Sequence, residues 1–406
     1  MHSRIFGEVG FSRRIRYLWR QTLTLGLQTM QNKKHFGRRD ILKTAIAGAL
    51  AALLSNCRVE FSGGDAYRRP YSRKPWVAPR ISMDNVIREV VGHRPYRPSG
   101  FVVKSEQFDD KTVIHNYGHG GGGISLSWGS SALAVRETVG LRPGEIGVIG
   151  SGVMGLTSAR LLQDAGWDVT IYTREMARHT TSNVAGGEWG PYSVHDPAVS
   201  SDAFKEQIQL AASISHRAFT NLGGRAYGVR WTELYNLSKT PPEEGGEFQH
   251  LYPYRTDLQP GEHPFPVPYV RHELTMMVEP AIFLRRLIND FLQSGGKFVI
   301  RNFNRKEEIL ALSEKIFFNC TGLGAATLFD DKEITPAKGQ LVHMPPDPDV
   351  DYLTIGGGES NLYMFSRTDT VLLGGTFKLG DYSQNPEPEE TERIVSEHQK
   401  IFSGFA

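Results

Sequence analysis

The sequence predicts an α/β protein, α+β overall, with one unit on a mainly parallel sheet and a second on a mixed sheet. Three observations carry that expectation. A short apolar run, EIGVI at 145–149, leads into Gly150-Ser151-Gly152-Val153-Met154-Gly155, and residues 156–165 continue with helical spacing. A second apolar run at 168–172 ends at Arg174-Glu175, about twenty positions past the glycines, where a ribose hydroxyl needs an acceptor. Downstream, YMFSRTDTVLLGGTFKL has the alternation and turn spacing of a hairpin. The first two make the parallel unit Rossmann-like.

Each glycine of the GxGxxG turn has its own reason. Gly150 permits the tight turn, Gly152 lets backbone N–H groups approach a pyrophosphate, and Gly155 lets helix pack on strand. The motif alone does not choose between FAD and NAD. RHTTSNVAGGEWGPY follows at 178–192, polar and glycine-rich. It has hydroxyl donors at Thr180, Thr181 and Ser182, close backbone at Gly186 and Gly187, and a flat apolar wall at Trp189. Such a loop suits a longer flavin cofactor, and an ordinary surface loop reads the same way. VEPAIFLRRLINDFLQSGGKFVIRNF predicts a helix ending at Gly295-Gly296 and then a strand. KIFFNCTGLGA predicts a buried strand entering a glycine turn, with Cys320 as a small buried side chain. Upstream, VIHNYGHGGGGISLSWG places four glycines ahead of a helix, either an anion cradle or a flexible link.

Of the 406 residues 39% are hydrophobic and 22% charged, a globular balance, and a net charge of +2 gives no global pointer to nucleic acid. The two cysteines, Cys57 and Cys320, exclude a disulfide framework and a CxxC zinc site, and no metal cluster is expected. Basic residues crowd the front. MQNKKHFGRRDILKTAIAGALAALLSNC pairs Arg38-Arg39 with an apolar run over 45–54 that is short for a membrane span, the layout of an export signal over residues 1–57. GRRDILK resembles a twin-arginine signal, with Met30 as the expected start. Export machinery is then a partner, and the location is periplasmic or the outer face of the bacterial inner membrane. Cys57 has the outline of a lipid-attachment site, although Asn56 stands where Gly or Ala is usual. Residues 58–84, rich in Arg, Pro and Ser, read as an exposed tether.

GVIGSGVMGL, TTSNVAGGEWGPY, FFNCTGLGA, LLGGTFKLGDY, GHRPYRP and VIHNYGHGGGG, spread over about 85–402, together resemble the D-amino-acid oxidase family. In that family the last two motifs come near the C-terminus. Here they come first and run into the dinucleotide strand through GLRPGE, so the resemblance implies a circular permutation whose new ends, near Asn85 and Ala406, lie close together. It implies an FAD-binding domain over 95–190 and 275–337, and a substrate domain over 85–94, 191–274 and 338–406. The reaction implied is oxidative deamination of a D-amino acid. Hydride passes from Cα to flavin N5, and the imino acid hydrolyses to an oxo acid and ammonia. Oxygen then yields hydrogen peroxide, and no general base is needed.

By the same resemblance Arg94 grips the substrate carboxylate, Tyr363 reaches it by its hydroxyl, and the carbonyl of Gly121 lines the amine side. Gly120, Gly122, Gly123, Ile124 and Ser125 complete the flavin-contacting loop. Arg174 and Glu175 fall at the adenosine ribose and Phe303 at the adenine, while Arg97 is expected to be structural. Two departures bear on substrate. Glu359 stands where a second lid tyrosine is found, and Phe377 stands where relatives acting on acidic substrates carry Arg. Neutral or basic D-amino acids are therefore expected ahead of acidic ones. A dehydrogenase or glycine/sarcosine-type amine oxidase with another electron acceptor, and a non-catalytic D-amino-acid-binding flavoprotein, remain as alternatives.

Overall fold

A computed structural model describes residues 76–176, 180–359 and 362–405. The segment expected to be an export signal, with Met30, Arg38, Arg39 and Cys57, and residues 58–75 of the expected tether, lie outside the described residues. From Trp76 onward the chain forms one compact unit.

The smaller sheet has six strands in the order β2 (Val102–Phe108), β3 (Lys111–Tyr117), β10 (Ile316–Asn319), β4 (Glu145–Ile149), β5 (Asp168–Thr173) and β9 (Lys297–Ile300). β3 through β9 run parallel and β2 alone is antiparallel. Parallel order brings the carboxyl ends of β3, β10 and β4 to one edge, so the four-glycine run after β3 lies beside the GxGxxG turn after β4. Ligands of open α/β sheets bind at that edge.

Helix α1 (Gly123–Arg136) follows the glycine run, and α2 (Val153–Asp164) follows the turn. α1 is built of small residues because it is covered on most sides. A Cβ on Gly129 would sit 1.8 Å from the Ala211 carbonyl oxygen of α3 (Asp202–Leu222). Buried polar groups lock the layers. Asn116 of β3 donates to Ser131 of α1 and to Ser158 of α2, both at 3.1 Å. α3 opens where Ser201 accepts from the Phe204 N–H, and α4 (Pro280–Gln293) starts on proline.

The larger sheet has nine strands. Its main path runs β1 (Arg88–Tyr96), β11 (Thr335–Met344), β14 (Val371–Gly374), β13 (Tyr363–Ser366), β12 (Tyr352–Gly356), β6 (Val229–Ser238), β8 (Tyr269–Val278) and β7 (Arg255–Leu258), and β15 (Lys378–Leu379) pairs on β11. The expected hairpin is β13–β14, with Tyr363 opposite Gly374. These strands set domain borders a few residues from those expected. Positions 94/95, 274/275 and 337/338 each fall inside a strand (β1, β8 and β11), and a hydrogen-bonded strand belongs whole to its sheet.

One face of this sheet carries the core of Tyr235, Leu237, Val342, Tyr352, Met364 and Leu373, closed by Ile394, Val395 and Ile401 of α5 (Pro388–Ile401). The end of the tether docks there as well, which corrects its expected limit at 84. Trp76 packs on Tyr235 at 4.7 Å and Phe405 at 6.1 Å, and Tyr352 donates to the Val77 carbonyl at 2.8 Å. Gln399 donates to the Ile81 carbonyl at 3.0 Å, so the two ends of the described unit meet.

Candidate active site

Strand register places the other face of the sheet. Arg94 is opposite Ala337, Leu341 opposite Gly374, Gly374 opposite Tyr363, Tyr363 opposite Ile355, Ile355 opposite Asn236, and Asn236 opposite Arg271. Paired residues share a face and so do residues two apart. Arg94, Gly339, Gly374, Tyr363, Asn236, Glu273 and Thr275 therefore all lie on one side, opposite the α5 core.

Arg94 and Tyr363, distant in sequence, meet here: Nη2 of Arg94 donates to the Tyr363 hydroxyl at 3.3 Å, and Nη1 donates to the Thr376 carbonyl at 3.3 Å. Both acceptors are neutral, and among the described residues Arg94 forms no ion pair. Two glycines make room. A Cβ on Gly339 would meet Nη1 of Arg94 at 2.3 Å, and one on Gly374 would meet the Tyr363 ring at 2.1 Å. Phe377 caps the guanidinium at 5.8 Å from its ring centre. Arg97 is the opposite case. It pairs with Asp331 at 2.8 Å and with Glu333, and donates to Ser99 and to the Gly100 carbonyl. Its expected structural role matches these contacts.

The segment 186–193 starts against this face and pairs along the end of β8, with Glu188 opposite Met277. Gly186 lies on the Phe365 ring, itself stacked on Tyr363 at 4.8 Å, and a Cβ on Gly121 would meet the Tyr192 carbonyl oxygen at 2.6 Å. The hydroxyl of Ser125 bridges the Gly190 N–H and C=O, each at 3.1 Å. Gly120, Gly121 and Gly122 thus sit between this segment and the start of α1, which begins at Gly123 with Ile124 and Ser125 buried behind it. His119, left without a role, stacks on Phe101 at 4.5 Å, and burial lowers its pKa to about 3.

The residues fit a dinucleotide. Gly150 has φ +107° and a Cβ there would lie 2.5 Å from the Cys320 carbonyl oxygen; on Gly155 it would lie 1.9 Å from the Gly150 carbonyl oxygen. The N-terminus of α2, capped by Gly152, and that of α1, capped by Gly122, have neither a capping side chain nor an acid in the first turn. N–H groups at helix starts favour anions. Opposite, Ser182 of the Thr180-Thr181-Ser182 loop accepts from the Val153 N–H at 3.0 Å. Ser151 donates to the Glu175 carbonyl at 2.8 Å, and this leaves the Glu175 carboxylate in solvent beside Arg174, at the end of β5. Met154 is buried against α1, where its sulfur accepts from Ser130. Gly187, with φ +93°, hugs the Val278 carbonyl.

Two residues expected at the cofactor are buried against other side chains. Trp189 is 1% exposed, its ring turned onto His216 at 4.8 Å and Tyr252 at 6.0 Å, so it offers no wall to a ligand. Phe303 is buried in the cluster of Val113, Ile149 and Phe317, edge-on to Tyr172. Glu359 is exposed in the β12–β13 link. Cys320 is buried and its thiol is pushed up to about 12, which makes it inert. Gly339, Gly374, Thr376 and Glu188 were missed in the sequence. The adjacent glycines of LLGG were the available signal for Gly374, and Glu188 stood unremarked inside AGGEWGPY.

Glu188 is 6% exposed and accepts from the Thr275 hydroxyl at 2.9 Å; among the described residues it has no ion pair. Desolvation pushes its carboxyl up to about 8, with Glu273 adding to the effect and the Thr275 hydrogen bond opposing it. Glu273 is held by Arg255 at 3.1 Å and by Asn236 at 2.8 Å.

A Rossmann-like sheet with a glycine turn and two helix N-termini at one edge, beside a second, mixed sheet, defines a dinucleotide-dependent enzyme. The chain belongs to the FAD dependent oxidoreductase family (DAO), whose match covers residues 145–406, and FAD is its cofactor. It is 30% identical over 256 residues to a D-amino-acid oxidase of Streptomyces coelicolor, covering 63% of this chain and 76% of that protein. It is 29% identical over 261 residues to a human D-aspartate oxidase, covering 62% and 74%. Among solved structures, glycine oxidase from Geobacillus kaustophilus shares the fold at a TM-score of 0.50 and 15% identity, covering 65% of this chain and 80% of that one.

Proposed function

We propose that the protein oxidatively deaminates D-amino acids, neutral or basic ahead of acidic. The observation that carries this reading is Arg94, a half-buried guanidinium with only neutral partners, next to the Tyr363 hydroxyl. A planar fork of this kind takes a carboxylate bidentately. The names of the two relatives support an amino-acid carboxylate as its partner. When bound, FAD supplies the acceptor for the Cα hydride, and oxygen or another acceptor regenerates it. The chain's own residues position. Arg94 and Tyr363 fix the carboxylate, the Gly121 carbonyl accepts from the amine, and the 186–193 segment excludes water. Phe377 in place of a cation leaves an acidic side chain without a partner.

The test is anaerobic mixing of the FAD-loaded protein with D- and L-alanine, glycine, D-lysine and D-aspartate while flavin absorbance is followed. Bleaching by D but not L forms is expected, with peroxide on admitting air. No bleaching by any D-amino acid refutes the reading, and reoxidation only by a quinone-type acceptor makes the protein a dehydrogenase.

The permuted chain order is part of the proposal. It is supported by the family match beginning at 145 and by the contact between Ile81 and Gln399. A chain rewired to run from 145 to 405, then 76 to 144, is expected to bind FAD and unfold at the same temperature. Residues 1–57 we read as an export signal, supported by GRRDILK and the apolar run after it. Replacing Arg38 and Arg39 by Lys is expected to trap the protein in the cytoplasm, and palmitate labelling tests Cys57.

A further inference from the structure

We infer that Glu188 selects a substrate whose side chain ends in a cation, so that the preferred D-amino acid is one of lysine or arginine type. This rests on the deamination reading above and narrows its substrate class.

Glu188 lies within the segment that spans the proposed site. Gly186, two residues before it, lies on the Phe365 ring stacked on Tyr363, and after it Tyr192 and Ser193 back Gly121 and Gly120. Its carboxyl turns toward the sheet, where Thr275 holds one oxygen. Thr275 shares the face of Arg94 and Tyr363. Through Gly186 and the Phe365 ring, the backbone at Glu188 lies within roughly 16 Å of the Tyr363 ring. The Glu188 side chain, a four-carbon arm and their hydrogen bonds cover that span. The site thus has a cationic pole at Arg94 and an acidic pole at Glu188, the arrangement that suits a carboxylate at one end and an ammonium or guanidinium at the other.

The groups around Glu188 fit this role. The neighbouring acid, Glu273, already has Arg255 and Asn236, whereas Glu188 has a single hydroxyl. Tyr192, which stands over Gly190 beside the carboxyl, is 47% exposed, and its hydroxyl meets that of Tyr252 at 3.2 Å. Gly190 permits the approach, since a Cβ there would lie 2.7 Å from Oε2 of Glu188 and 2.1 Å from the Tyr192 ring. A buried carboxyl without a cation is costly when ionised. An arriving cation removes that cost and displaces the proton to solvent, whereas a neutral chain leaves the carboxyl protonated and gains nothing from it.

The experiment compares wild type with Glu188→Gln and Glu188→Leu, all FAD-loaded, in two ways. Turnover is measured on D-lysine against D-norleucine, its uncharged counterpart. Binding is measured by flavin spectral titration with 6-aminohexanoate against hexanoate, which lack the α-amine and do not react. In wild type the charged member of each pair is expected to win by about tenfold or more. Both variants are expected to abolish that preference while still binding hexanoate, with Glu188→Leu improving on D-norleucine. Equal handling of both members by wild type, or a preference that survives Glu188→Gln, overturns the inference. Binding preference without turnover upholds the inference and refutes deamination. Turnover of both D-amino acids at equal efficiency does the reverse.

Discussion

Arg94 and Arg97 stand three residues apart in RPYR, yet their surroundings are opposite. Arg97 is fully engaged by Asp331, Glu333, Ser99 and a backbone carbonyl. Arg94 has two neutral acceptors at 3.3 Å and no carboxylate. The difference teaches that two arginines of one short motif are told apart by their partners: Arg97 is held by acids, and Arg94, which the proposed function assigns to a carboxylate, has only neutral ones.

The comparison can be broken most sharply at Arg94. Arg94→Ala is expected to lower kcat/KM by about a thousandfold through loss of two charge-assisted bonds, with flavin content and thermal unfolding unchanged. Arg97→Ala should do the converse, leaving Asp331 buried beside Tyr117 without its cation. A loss of about 3 kcal/mol is expected in denaturant melts, with KM of the folded fraction preserved. Gly374→Ala sharpens the same contrast. Its Cβ would displace the Tyr363 ring, and a misplaced clamp of that size costs about a hundredfold in rate, read as lower kcat/KM at constant flavin content.

A further effect is a tilt with pH. Glu188, raised from its ordinary 4.5 to about 8 by burial, holds a proton in the fold that the unfolded chain has lost. Stability therefore falls as pH rises from about 4.5 through 8, and Glu188→Gln is expected to flatten the melting temperature over that window. His119 works in the other direction: lowered to about 3, it weakens the fold as pH falls below 6.5.

The dinucleotide half was legible because its demands are local. GVIGSG, the helix after it and the acid at β5 each need particular residues at fixed spacing, and they fold as the spacing requires. The substrate side was less so. Arg94 and Tyr363 came through the family resemblance, but their glycine floor depends on which residues face each other across β1, β11, β14 and β13, and no spacing within one segment encodes that register. Trp189 misled for the same reason. Beside a polar loop it reads as a ligand wall, and only the position of His216 on α3 reveals the surface it covers. The tether limit failed because Trp76, Val77, Ala78 and Ile81 are scattered through a run otherwise composed like a linker, with no periodicity to mark them as core.

The pairing of β3 with β10 sets a timetable for synthesis. Thr112 waits for Ile316, and β1 waits for β11. At ribosomal speeds of roughly 5–20 residues per second the delay is on the order of ten to forty seconds. Throughout it the apolar edge of Val113 and Ile114 has only β2 beside it. Such an edge is a template for wrong partners. For about half of its synthesis the nascent chain carries that edge unpaired, and the fold closes only when its last third leaves the ribosome.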